Sequence, residues 1–171
     1  HLGATSCYVG DNTDLIIREY NRVSTDMPLV ILGDAPYAHG YKKKLFAMAD
    51  GRVKFLGGVY GHDYDVLRSC AFTYLHAHEI GGTNPSLLEA LAAGNCVAVL
   101  DVPYNLEVIG NAGLSFSKEE GNLKSLIEML LANPRIVDDM GSISVKRIEE
   151  HYRWDLIISG YEDLFRQILK E

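Results

Sequence analysis

Short apolar runs alternate with longer amphipathic segments along almost the whole chain, and this alternation restricts the fold more than any other feature. The runs SCYVG (6–10), PLVILG (28–33), VKFLGG (53–58), AFTYLH (71–76), NCVAVL (95–100) and GLSFS (113–117) have the length and composition of buried strands. The segments between and after them predict helices over 13–23, 38–49, 63–69, 85–93, 121–132, 135–150 and 154–169. Strands of this kind, separated by helices, bury both faces only in a parallel sheet with crossover helices above and below it. The expected fold is therefore α/β, a doubly wound parallel sheet. From NPRIVDDMGS onward no strand pattern recurs, so the sheet is followed by a helical C-terminal tail. With 171 residues, no internal repeat and no low-complexity linker, one domain over 1–171 is expected.

Composition removes several classes of function. A formal net charge of −7 has the wrong sign for a broad nucleic-acid surface, so no nucleic-acid partner is expected. A small anionic ligand remains open to a site that supplies its own positive field. No run approaches the roughly 18 consecutive apolar residues of a membrane span, and HLGATSCYVG lacks the build of a signal peptide, so a cytoplasmic protein without a transmembrane segment is expected. Cys7, Cys70 and Cys96 stand singly in apolar stretches, without CxxC or metal-type spacing. They are expected to be reduced core residues. The lysines of YKKKLFAMAD read as a solvated helix face.

Three of the expected strands end on glycine-containing turns, at Gly10, at Gly33 with Asp34, and at Gly57 with Gly58. In an open parallel sheet such turns line the edge where ligands bind. The chain has no GxxxxGK[ST], and GGVYG at 57–61 is not GxGxxG, which disfavours a P-loop enzyme or an ordinary dehydrogenase. No acidic pair follows the first strand, which disfavours a phosphorelay receiver.

The stretch HAHEIGGTNPSLLEALAAG (76–94) carries the most chemistry. Asn84 is a good N-cap and Pro85 suits the first helical position, so a helix starts there. Gly81 and Gly82 ahead of it let a ligand approach the backbone. Its N–H groups and the positive end of the helix dipole form an anion site, to which Thr83, Asn84 and Ser86 can add hydrogen bonds. A diphosphate fits such a site; a merely well-capped helix explains it equally. Glu89 is the one charged side chain between Ile80 and Leu100. On a helical wheel Leu87, Leu88, Leu91 and Ala92 share a face, and Glu89 points away beside Ala90 and Ala93. A carboxylate only accepts hydrogen bonds, so its partner is a donor-rich group such as a ribose diol, or else a backbone N–H or an arginine elsewhere in the fold.

GGTNPSLLEALAAGNCVAVLDVP resembles the donor-binding signature of the large GT-B family of retaining, NDP-sugar-dependent glycosyltransferases, roughly E-G-x-G-x-x-x-L-E-A-x-A-x-G-x-P-V. PLVILGDAP, RVKFLGGVYGHDYDVLRSCAFTYLHA, NAGLSF and HYRWDLIISGYEDLF extend the likeness over nearly the whole chain, as the C-terminal half of such an enzyme. The H-x-H-x-x-G-G-T-N-P-S-L-L-E-A form is similar to a bacterial subgroup of surface-polysaccharide enzymes that includes rhamnosyltransferases. The resemblance implies a Rossmann-like half of a GT-B enzyme that takes a nucleotide-sugar donor. An N-terminal domain outside this chain would hold a sugar or lipid-linked acceptor, at the inner face of the membrane in some settings. It implies that Glu89 receives the ribose hydroxyls, and that Gly81, Gly82, Thr83, Asn84 and Ser86 hold the diphosphate and donor sugar. Gly10 and Gly33 would border the cleft, and residues near Leu56 to Val59 would lie by the base.

Two departures from the family pattern stand out. The first family glutamate, eight positions before Glu89, falls on Gly81. Its role passes either to Glu79, the nearest carboxylate, or to His78 and backbone groups. The family usually has an Arg and a Lys in the loop after the first strand, but here CYVG runs directly into DNTDLII, a join several residues short, so the basic pair is absent either from the protein or from the sequence as given. His76 and His78 lack a third ligand, so neither a metal nor any other cofactor is expected. Two rival functions are an NDP-sugar epimerase on the same fold and a non-catalytic α/β regulatory binding module.

Overall fold

The computed structural model describes residues 2–6, 12–34 and 38–169. Strands β1 (Leu2–Ser6), β2 (Leu29–Leu32), β3 (Val53–Gly57), β4 (Ala71–His76), β5 (Val97–Leu100) and β6 (Gly113–Phe116) form one parallel sheet in the order β3-β2-β1-β4-β5-β6. Helices α1 (Thr13–Tyr20), α2 (His39–Met48), α3 (Gly61–Ser69), α4 (Pro85–Ala92), α5 (Pro103–Ile109) and α6 (Asn122–Ala132) follow the successive strands. Two more, α7 (Pro134–His151) and α8 (Trp154–Ile168), end the chain. The doubly wound sheet with a helical tail is thus the observed architecture.

Strand alternation shows the double winding residue by residue. Leu29, Ile31, Leu75, Ala98 and Leu100 pack with Leu15, Ile16 and Ile17 of α1, Leu45 of α2 and Leu123 of α6. Their neighbours Tyr74, Val97 and Val99 point the other way, onto Leu87, Ala90 and Leu91 of α4 and Val108 and Ile109 of α5. Val30 and Leu32 meet Tyr64 and Leu67 of α3. Strands β2 and β5 are therefore apolar at every position, because both of their faces are core.

The strand order reverses direction at β1, which pairs with β2 on one side and β4 on the other. In an open α/β sheet that reversal leaves a crevice outside the carboxyl ends of the strands. At this edge Gly33 ends β2 with φ +103°, a turn that a side chain resists, and its N–H donates to Gly57 O at 2.7 Å.

Several expectations need correction. The first strand is described over Leu2–Ser6, earlier in the chain than the expected 6–10, and its Ser6 pairs opposite Leu32; residues 7–10 of the expected strand lie outside the described residues. Cys7 and Gly10 lie outside the described residues. Helix α5 was not expected, because seven residues hold too few periods to stand out. Cys96 is buried as expected, but Cys70 is exposed, at the C-cap of α3. On α4 the buried face is Leu87, Ala90 and Leu91, with Leu88 partly buried and Ala92 exposed. Ala90 replaces Ala92 because α7 and the sheet together cover that side of the helix.

The tail divides in two. Helix α7 packs on α4 and β5, with Gly141 and Ser144 buried. Ser144 Oγ shares its hydrogen bond between the carbonyls of Asn95 at 2.9 Å and Ala112 at 3.0 Å. Helix α8 has no buried residue, and Trp154, Ile158, Tyr161, Phe165 and Ile168 are each more than half exposed.

Candidate functional site

The crevice at the switch point begins with the start of α4. Asn84 sits in extended geometry at the N-cap, its Oδ1 accepts from Ser86 N at 3.0 Å and from Ser86 Oγ at 2.7 Å, and Pro85 takes the first helical position. Tyr74 OH, on β4 beneath, donates to Ser86 Oγ at 3.2 Å and ties the cap to the sheet. The amides of Gly82, Thr83 and Asn84 have no acceptor among the described residues, so this turn offers donors at the positive end of the helix dipole. Gly81, with φ +142°, has a backbone that L side chains rarely adopt.

Beside this turn lies a cleft of about 600 Å³. Leu32 and Gly33 close one end, the Gly58–Gly61 turn and Tyr64 form one wall, and His78, Asn84, Pro85, Ser86 and Glu89 form the other. Of the residues singled out in the sequence, the fold thus brings Gly33, His78, Asn84, Ser86 and Glu89 onto one cavity. Gly81, Gly82 and Thr83 are exposed in the turn at its rim rather than among its lining residues. Gly10 lies outside the described residues.

The two glutamates differ sharply. Glu89 is a half-exposed carboxylate on the cleft wall, and its Oε2 accepts from Arg68 Nη1 at 2.8 Å. The arginine alternative for its partner is therefore realised, while the carboxylate still faces the cavity. Glu79 is not among the lining residues: its Oε2 meets Lys118 Nζ at 2.6 Å and Asn12 Nδ2 at 3.2 Å. Lys118, then Asn12, hold its carboxyl below the usual value. Asn12, in the left-handed region at φ 53°, also donates to Ala77 O at 3.0 Å, fixing the chain beyond β4.

His78 is held at its carbonyl by Asn105 Nδ2 at 2.9 Å, a buried donor from the unexpected α5 that also bonds Leu100 O at 3.0 Å. His76 lies behind it, ring centroids 5.7 Å apart, and is 3% exposed with Nε2 unpartnered among the described residues. Burial, and then the neighbouring His78, push the His76 pKa down to about 4. Below the ordinary pKa of 6.5 the unfolded chain takes up a proton that the folded chain refuses, so stability falls as pH drops from about 6.5 to about 4. The melting temperature of the wild type is expected to drop more steeply across that window than that of His76→Gln. Parallel pH profiles would show that the folded state protonates this ring.

Among the described residues no group of three or more His, Cys, Asp or Glu could hold a metal ion, and no Lys or Arg lines the cleft. The residues that sequence reasoning missed are Arg68, Lys118, Asn12, Tyr64 and Asn105. Each reaches the site from an element distant in sequence, and no local pattern marks it.

Comparison with known proteins adds a family. The model of the glycosyl transferases group 1 family matches residues 2–133. A search of curated proteins finds no match. Among solved structures, the chain is similar to Anabaena HepE in complex with UDP and glucose, at TM-score 0.86 and 16% identity over 98% of this chain and 48% of that one. It is also similar to sucrose-phosphate synthase from Thermosynechococcus elongatus, at TM-score 0.82 and 17% identity over 99% of this chain and 46% of that one. The catalytic domain of cholesterol-α-glucosyltransferase from Helicobacter pylori matches at TM-score 0.74 and 16% identity, over 88% of this chain and 98% of that one. The chain thus spans about half the length of HepE and of the synthase.

Proposed function

Because the chain belongs to the glycosyl transferases group 1 family, we propose that it is the donor half of a glycosyltransferase, binding a nucleoside-diphosphate sugar in the cleft beside α4. The observation that carries this reading is a capped helix start beside the cleft, whose Gly82, Thr83 and Asn84 amides have no acceptor among the described residues, with the carboxylate of Glu89 on the cleft wall just over one turn along. The diphosphate sits at Gly82–Ser86, the ribose at Glu89, and the base toward the turn at Gly58–Gly61. His78 and the segment through Glu79 and Gly81 border the sugar. HepE, of the same fold, was solved with UDP and glucose, which supports a nucleotide-sugar donor.

The chemistry this half supplies is preorganised stabilisation of the departing diphosphate by helix-start amides and dipole. The reading includes transfer with retention, no divalent metal, and an acceptor held by a second domain. The exposed apolar face of α8 and the coverage of only half of HepE support that second domain. A surface-polysaccharide role in the cytoplasm of a bacterium belongs to the same proposal, with dTDP-rhamnose among the donors to be tried; its deoxyribose would offer Glu89 the 3′-hydroxyl alone. Among the described residues Glu89 is the only acid on the cleft wall, which speaks against an epimerase needing an acid and a base there.

A thermal-shift panel of nucleoside diphosphates and NDP-sugars tests the reading, since a ligand of the folded state raises the melting temperature by mass action. At least one nucleoside diphosphate is expected to stabilise the chain equally with and without a chelator, and the 171-residue chain alone is expected to transfer no sugar. A panel with no stabilising member would overturn the donor assignment. Loss of the shift on chelation would overturn the metal-independent part.

A further inference from the structure

The geometry points to Arg68 as a positioning residue that holds the Glu89 carboxylate in place for a ribose diol, an assignment that rests on the donor reading above. Arg68 lies at the end of α3, 21 residues before Glu89, and its side chain is 16% exposed against 50% for its partner. It is not a cleft-lining residue, so it reaches Glu89 from outside the cavity.

The pairing is asymmetric. Arg68 is anchored without Glu89: Nη2 donates to Asp65 Oδ1 at 2.7 Å, and the guanidinium lies over the Tyr64 ring at 4.8 Å. The backbone below it is fixed as well, since its carbonyl accepts from Asn95 Nδ2 at 3.0 Å. Glu89, by contrast, has Arg68 as its only side-chain partner among the described residues, and only through Oε2. An immobilised guanidinium thus takes one carboxylate oxygen and leaves Oε1 to accept from a ligand. A lysine would present its three donors on one compact, rotatable ammonium rather than a rigid planar fork, and so would hold the two carboxylates in a less fixed geometry.

Holding a glutamate in one rotamer before the ligand arrives removes an ordering cost from binding. The alternative, that Arg68 competes with the ligand for Glu89, has the opposite sign: removing Arg68 would then raise affinity. The preorganising role is favoured because Oε1 is already available without breaking the ion pair.

The test uses UDP and 2′,3′-dideoxy-UDP as probes, titrated calorimetrically into the wild type and Arg68→Met. Arg68→Met is expected to bind UDP about five- to tenfold more weakly, on the scale of rotamer entropy for a long side chain. Affinity for the dideoxy probe should stay within about twofold, since that probe has no hydroxyls for Glu89 to receive. Should Arg68→Met fail to fold, Arg68→Lys carries the same test with a smaller expected loss of the same selectivity. Equal losses on both probes would make Arg68 a structural or general electrostatic residue and overturn the assignment, as would unchanged or tighter UDP binding. A wild type that binds both probes alike removes the ribose contact itself, and one that binds neither removes the uridine-diphosphate site on which this assignment rests; each takes this inference with it, while the donor reading stands or falls with the nucleoside-diphosphate panel.

Discussion

Replacing Glu89 with alanine is expected to weaken nucleoside-diphosphate binding by one to four orders of magnitude while hardly changing the melting temperature. The carboxylate lines the cleft and has one oxygen without a partner among the described residues. A ribose diol would form one or two charge-assisted hydrogen bonds with it, each worth about 1.5 to 3 kcal/mol. The fold depends on it little: a half-exposed ion pair contributes about 0 to 1 kcal/mol, and Arg68 keeps Asp65 when Glu89 is removed. Glu89→Gln keeps the shape and removes the charge, so the pair of variants separates the loss of a charged acceptor from the loss of packing. Calorimetric titration alongside thermal melts reads both quantities. If Glu89→Gln binds as tightly as the wild type but melts much lower, Glu89 is a structural carboxylate held by Arg68 and the ribose assignment fails.

The second large effect is on stability. Gly141→Ala is expected to destabilise the chain by about 3 kcal/mol, at the upper end of the usual cost of overpacking. In most helices this substitution is favourable, because glycine loses more backbone freedom on folding. At Gly141, however, an added Cβ would overlap the carbonyl oxygen of Gly94, in the turn that ends α4. Both partners are backbone, so neither can rotate away, and α7 must lift off α4. That movement would also strain the Ser144 contacts to Asn95 and Ala112. Gly160→Ala on α8 is the control: a Cβ there meets nothing within 4 Å, so the same change should stabilise by up to about 1 kcal/mol. Chemical denaturation of the two variants gives opposite signs if the Gly94–Gly141 approach is what fixes α7. A stable Gly141→Ala would mean that the two helices slide past each other at little cost.

The double winding was legible because it rests on local signals. Runs such as LVIL and VAVL are apolar at every position, which only a strand covered on both faces tolerates, and the crossovers carry helical periodicity. The start of α4 was legible for the same reason: an Asn cap and a Pro at the first position act within three residues of each other. The isolation of Glu89 in an apolar stretch marked it before any fold was known.

What faces Glu89 was decided only by the tertiary structure. Arg68 comes from the end of α3, and its position follows from how α3 and α4 dock on the same face of the sheet. Likewise Glu79 turns to Lys118 and Asn12, which approach from beyond β6 and from before α1. Nothing in the sequence around Gly141 marks its close approach to Gly94, which only the docking of α7 on α4 creates. That Gly3–Ser6 pair with Leu29–Leu32 is likewise a matter of register across the sheet, which these weakly patterned residues do not announce. Periodicity, caps and turns act over a few residues and so can be read along the chain. Ion pairs and backbone contacts between distant elements depend on relative placement in space, for which the sequence carries no local mark.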